Sequence, residues 1–157
     1  QPKRINSLCH ELPNQSINIG ASPNHADIIQ PYVYDDFLRE SKKYLAYTKS
    51  NNGGEFSYDA INEANTFHGT DNCFSETFYD QSPLNRVIKQ TPEGNQGKID
   101  LGSMNIDYKT NTVNEAVIRW KVSGETCIPN GIYEAGTLTK LVTTDENGNS
   151  VKEFKDS

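Results

Sequence analysis

Cysteine is scarce and scattered: Cys9, Cys73 and Cys127 form an odd set with no Cys-x-x-Cys spacing. That excludes a zinc site built from clustered thiols and argues against a dense disulfide framework. Buried or idle thiols are the expectation. One disulfide among Cys9, Cys73 and Cys127, with a leftover thiol, is the alternative. Basic runs are missing too. None exceeds Lys42-Lys43, and the net charge is −6. The positive footprint that displaces counterions from nucleic acid is therefore absent. An acidic surface also disfavours anionic membranes, and nowhere do about 18 apolar residues run together, so no membrane insertion is expected.

Catalytic spacings are equally sparse. His10, His25 and His68 show no His-x-x-x-His or His-Glu-x-x-His pattern and read as loop or surface histidines. Cys9 and His10 are chain neighbours, which on a strand point to opposite faces and cannot share a proton. Gly102-Ser103-Met104 lacks the Gly-x-Ser-x-Gly elbow that exposes a nucleophile. No Gly-rich phosphate loop is present. The run Asp145-Glu146-Asn147-Gly148-Asn149 has the look of a calcium loop. Its Gly comes fourth rather than sixth, and Lys155-Asp156 stand where a bidentate Glu is required, so a hairpin turn is expected. The chain is expected to be no enzyme and to use no cofactor and no metal.

What remains is a β chain. Its hydrophobic fraction is low, 34%, but eight Tyr, six Phe and many Val, Ile and Thr argue against disorder. With a mean hydropathy of −0.74, thin β layers with much polar surface suit it better than a thick helical core. Apolar residues alternate in Gln15–Ile19, Tyr32–Tyr34, Arg39–Tyr47, Ser75–Tyr79, Arg86–Gln90, Asn114–Val122, Leu138–Thr144 and Val151–Phe154. Period two with β-branched and aromatic residues marks strands, and the Asn, Gly, Asp and Pro clusters between them mark turns. Turn tips are expected at Asn52-Gly53, Glu93-Gly94-Asn95, Asn130-Gly131 and Asn147-Gly148. In Asn114–Val122 the stripe Ala116, Ile118, Trp120 and Val122 predicts a core-facing Trp120. One short helix is expected around residues 57–67, capped by Ser57, with Ala60, Ile61, Ala64 and Phe67 on one stripe and Asn52-Gly53-Gly54 as a flexible lead-in. A single antiparallel β domain over residues 1–157 follows.

Three turns share a grammar. Tyr34-Asp35-Asp36-Phe37-Leu38-Arg39 lies between two strands. Tyr79-Asp80-Gln81-Ser82-Pro83-Leu84-Asn85-Arg86 does the same with two more residues, and Thr144-Asp145-Glu146-Asn147-Gly148-Asn149 is a weaker copy. Physically, an aromatic would end the incoming strand and Asp would accept the turn's amides. A Gly or Asn would take the left-handed conformation, and Arg would reach back to the carboxylate or stack on the aromatic. The site residues are therefore Tyr34, Asp35, Arg39, Tyr79, Asp80, Arg86, Asp145 and Gly148, in a structural role. Leu38 stands at the Gly place, which costs about 1 kcal/mol if it is left-handed. A glycan platform would use Tyr44, Tyr47, Tyr58, Trp120 or Tyr133 as stacking faces; the competing reading is that strand aromatics fill the sheet face.

These phrases resemble Tyr-Asp-x-x-Gly-Arg of the RHS/YD-repeat family. The stretches INIGASPNHADIIQPYVYDDF, KKYLAYT, FSETFYDQSPLNRVIKQ and GTLTKLVTTDENGNSVKEFKD look like the N-terminal domain of Bacteroidetes YD-repeat proteins. Degenerate copies are placed near 5–20, 32–47, 75–90 and 138–155, with Cys9-His10-Glu11 replacing any Tyr-Asp phrase in the first. The resemblance implies a structural or assembly module in a large exported or surface β cage, with downstream YD repeats of the same parent chain as partners. It also carries a suggestion of carbohydrate binding, so a glycan- or surface-binding module is the alternative; a small hydrolase ranks third. Gln1 opens the chain without a Met, and Phe154–Ser157 closes it in strand-like sequence. Both ends are thus expected to be cuts, leaving a last strand open to edge-to-edge self-association.

Overall fold

The computed structural model describes residues 14–94 and 102–156. Cys9, His10, Glu11, the start of the copy placed near 5–20, and Asn95 of the Glu93-Gly94-Asn95 turn lie outside the described residues. The chain packs as two compact units, Gln1–Ser103 and Met104–Ser157. It is mostly β, with antiparallel hairpin neighbours and one short α-helix among the described residues.

The first unit contains β1 (Asn14–Asn18), β2 (Asp27–Tyr34), β3 (Glu40–Tyr44), β4 (Tyr47–Lys49), α1 (Ala60–His68), β5 (Phe74–Tyr79) and β6 (Val87–Thr91). The strands lie in the order β1-β2-β3-β5-β6, all antiparallel, and β4 continues the β3 side along the first half of β2. Pro31 cannot donate to a ladder, yet it sits in the middle of β2. The interruption between β3 and β4 accommodates it, and Gln30 Nε2 bridges that gap to the Tyr44 carbonyl at 2.9 Å. Ile29 of β2 is fully buried, and around it Tyr44, Tyr47, Ala60, Ala64, Cys73 and Phe74 form the core. Two alanines on α1 let its backbone approach the sheet closely. Phe67, expected on the same stripe, is 55% exposed.

Helix α1 begins three residues later than its expected cap. Asp59 is the N-cap, without a side-chain cap bond. Ser57 is buried, and its hydroxyl serves Lys49 and Glu63 instead. Gly69 ends the helix in the left-handed conformation, its N–H and the next returning to Thr66 and Asn65.

The second unit contains β7 (Met104–Thr110), β8 (Ile118–Ser123), β9 (Thr126–Ile132), β10 (Thr139–Thr144) and β11 (Ser150–Lys155). β10 lies between β7 and β11, and β8 pairs with β9 as a separate two-stranded ribbon. Three expectations are corrected here. Asn114–Val122 is not one strand: Val113–Glu115 forms a 3-10 turn closed by a Thr112–Glu115 capping box, and the strand starts at Ile118. Asn130-Gly131 is not a turn tip but an extra-residue bulge inside β9, with Gly131 at φ +81°. The ribbon turns instead at Gly124 (φ +63°), the first central position of a tight hairpin. Trp120 is not core; it is 59% exposed, in a strand whose residues are all exposed. Strand β7 was not marked by the sequence patterns.

Candidate functional site

The first Asp-centred turn joins β2 to β3. Asp35 N–H donates to the Arg39 carbonyl and Leu38 N–H to the Asp35 carbonyl, both at 2.9 Å. The carboxylate completes the turn: Oδ1 accepts the Phe37 and Arg39 amides at 2.9 Å, and Oδ2 accepts Arg39 Nε at 2.7 Å. Leu38 is left-handed at φ +60°.

The turn between β10 and β11 repeats this pattern bond for bond. Asp145 N–H reaches the Asn149 carbonyl, Gly148 N–H reaches the Asp145 carbonyl, and Oδ1 accepts the Asn147 and Asn149 amides. Asn149 Nδ2 replaces the guanidinium at Oδ2, 2.9 Å away. Gly148 takes the left-handed place at φ +84°. The longer turn between β5 and β6 keeps the frame. Asp80 N–H donates to the Arg86 carbonyl, Arg86 Nε reaches Asp80 Oδ2 at 2.7 Å, and Asn85 is left-handed. Its extra residues are absorbed by Ser82, whose hydroxyl donates to Asp80 Oδ1 and accepts Leu84 N–H.

Because Leu38 is 74% exposed, glycine there should lose no packing while removing the Cβ that opposes a positive φ. Leu38→Gly is expected to stabilise the chain by roughly 0.5–1 kcal/mol, read as a higher urea midpoint.

Arg39 also ties the first turn to the second. Its guanidinium lies 4.5 Å from the Tyr79 ring and 4.9 Å from the Phe37 ring, and Nη1 donates to the Asp80 carbonyl at 3.2 Å. Tyr79 reciprocates, its hydroxyl donating to the Glu40 carbonyl at 3.0 Å. The Arg39 side chain is only 10% exposed. One cation thus closes its own hairpin and latches the next one beside it through β3 and β5. Tyr34, by contrast, ends β2 exposed.

A second polar centre holds α1 to the sheet. Glu63 accepts Tyr47 Oη and Lys49 Nζ, each at 2.6 Å, and the Ser57 hydroxyl at 2.9 Å. Burial opposes the charged carboxylate, but Lys49, Tyr47 and Ser57 outweigh it and hold its pKa below the ordinary value. Burial first, then the bond to Glu63, pushes the Tyr47 phenol well up. The shallow cavity here, about 360 Å³, is lined by Tyr47, Lys49, Asn62, Glu63 and Phe67 among others. The buried Ser57 hydroxyl is held on both sides, donating to Glu63 and accepting from Lys49.

Asp27 was not singled out by sequence, yet it organises two loops. It accepts the Gly20 and Gly54 amides at 2.8 Å, with Asn52 Nδ2 at 3.4 Å. The Asn52-Gly53-Gly54 segment is therefore pinned rather than a loose lead-in. Gly54 is required there: φ is +78°, and a Cβ would meet Ile19 Cδ1 at 2.6 Å.

The Gly54 and Gly20 amides hold the Asp27 pKa down, Ser82 and Arg86 that of Asp80, and the Asn149 side chain and amide that of Asp145. For Asp35, burial works the other way, but Arg39 and Phe37 win. Depressed pKa values mean stability that is complete above the unfolded-state value of 3.8 and is lost as pH falls through the folded values. Urea midpoints are expected to hold from neutrality to about pH 5 and to drop steeply below about pH 4. Asp35→Asn should flatten part of that drop.

The residues named for a glycan platform lie in different settings. Tyr44 and Tyr47 are core, at 7% and 3% exposure. Tyr58 is exposed beside Phe56, while Tyr133 lies in the second unit, its hydroxyl on Asp156. Cys73 is a buried free thiol donating to Asn65 Oδ1, and Cys127 is an exposed free thiol. His25 sits in an exposed loop and His68 bonds the Ala46 carbonyl.

A family model described as a domain of unknown function (DUF6443) matches residues 12–110, from before β1 to the end of β7. No curated protein and no solved structure matches the chain.

Proposed function

We propose, from the premise that the chain belongs to the DUF6443 family of domains of unknown function, that it is a non-catalytic structural module of an exported or surface RHS/YD-repeat protein. In this reading it flanks or helps to form that protein's β shell. The observation that carries it is the Arg39 latch: a Tyr-Asp turn whose arginine docks on the tyrosine and carbonyl of the next turn. Hairpins joined this way stack side by side, as a shell assembled from successive repeats requires. The exact recurrence of the Asp bonds at Asp35 and Asp145 supports a repeated unit. The Tyr47–Lys49–Ser57–Glu63 network ties α1 to β4, as a rigid scaffold requires. Glycan binding is less favoured, since Tyr44 and Tyr47 offer no free stacking face.

Among the described residues β11 pairs only with β10, and its other edge is where a following YD hairpin would add. Amide exchange over residues 138–154 tests this. Protection of β11 is expected to rise when a YD hairpin is appended after residue 157. Equal and full protection in the monomeric 157-residue chain would count against the assembly role.

A further inference from the structure

The β8–β9 ribbon presents one face without a single charge. Strand alternation and register place Ile118 opposite Ile132, Trp120 opposite Pro129, and Val122 opposite Cys127, all on the same side. Arg119 and Lys121 fall on the other side. The apolar face is open: Ile118 is 48% exposed, Trp120 59%, Val122 75% and Ile132 52%, and Cys127 and Pro129 are exposed as well. The base of the ribbon is firmly held. Asn111 is buried and bonds Leu138 N–H and the Glu134 carbonyl, Tyr133 N–H donates to the Val117 carbonyl, and Lys140 pairs with Glu115 at 2.9 Å. This is an arm anchored at its root and bare along its length, whereas two-stranded ribbons are marginal unless a face is covered.

We propose that the arm is a homodimerisation element, its apolar face covered by the same face of a second copy. Two arguments select that occupant. The six side chains expose roughly 500 Å² per copy, so two copies bury on the order of 1,000 Å², the lower limit of a specific interface. The face is also self-complementary about a two-fold axis between Trp120 and Pro129. With that axis lying in the interface along the strands, each indole lies on the partner's flat proline, each Val122 on the partner's Cys127 and each Ile118 on the partner's Ile132. An uncharged face demands no charged counterpart.

Trp120 is the only tryptophan in the chain, so its fluorescence reads the interface directly. In the full chain, dilution is expected to turn a sedimenting dimer into monomer while Trp emission shifts to the red over the same concentrations. Val122→Asp keeps the reporter and should weaken association at least about tenfold, leaving solvent-exposed emission throughout. Val122 is so exposed that the variant should keep the parent's circular dichroism. Val151→Lys, on exposed β11, should leave association unchanged. Three results would each overturn the proposal: a monomer at every concentration, a blue-shifted tryptophan in the monomer, or a dimer abolished by Val151→Lys but not by Val122→Asp.

Discussion

Replacing Arg39 with alanine is expected to destabilise the first unit by about 2–3 kcal/mol, from lost charge-assisted bonds and ring stacking. Its guanidinium holds Asp35 at 2.7 Å, reaches the Asp80 carbonyl and lies on Tyr79, so truncation breaks one hairpin and its junction to the next. It also leaves a carboxylate without its cation. Arg39→Lys should recover only part of the loss, because a point charge cannot supply the planar fork. Arg86→Ala removes a similar pair whose cation is 40% exposed, and should cost a small fraction as much. Urea midpoints followed by circular dichroism measure all three. In a double-mutant cycle, Arg39→Ala and Tyr79→Leu should couple by about 1 kcal/mol; additive effects would mean the stacking contributes nothing.

The turns were legible in the sequence because their chemistry is local. An Asp carboxylate reaches amides two and four residues on, so the order Asp, left-handed residue, then Arg39 or Asn149 is enough to write down the bonds around Asp35 and Asp145. The latch was not legible, because Arg39 and Tyr79 are far apart in sequence and only the β3–β5 pairing brings them together. Asp27 was hidden for the same reason: its partners, Gly20 and Gly54, come from two separate loops. The helix was found, but Ser57 had a stronger use than capping. Trp120 shows a different limit. Alternation says which residues share a face, not whether anything covers it.

Ile29→Ala is the largest single loss expected, about 3–4 kcal/mol, as the sum of lost transfer energy and a cavity that cannot collapse. Ile29 is fully buried beneath the close-packed Ala60 and Ala64 of α1, with Tyr47 paired beside it across β2 and β4. Neither alanine can reach into the space, and Tyr47 is fixed by its bond to Glu63. Ile29→Val should cost about 1 kcal/mol. Leu84→Ala, in an exposed turn, should stay within about 0.5 kcal/mol of the parent. Denaturant midpoints at constant slope would check the series. A small loss at Ile29 would mean that α1 settles inward to fill the gap.

Thr110 and Thr139 face each other across β7 and β10, and Asn111 stitches the next step to Leu138. The long excursion between them therefore leaves and re-enters the sheet side by side. To the frame, it is a hairpin loop that happens to be long, and the entropy of closing such a loop grows only slowly with its length. Its contents can be trimmed to an Asn-Gly turn or exchanged for another segment without moving β7 along β10. Lys140, deprived of Glu115, is then the side chain that needs a new partner. The family match ends at residue 110, where the excursion begins. The fold carries a socket at this point: the pairing of β7 with β10 fixes where the excursion plugs in and leaves open what it holds.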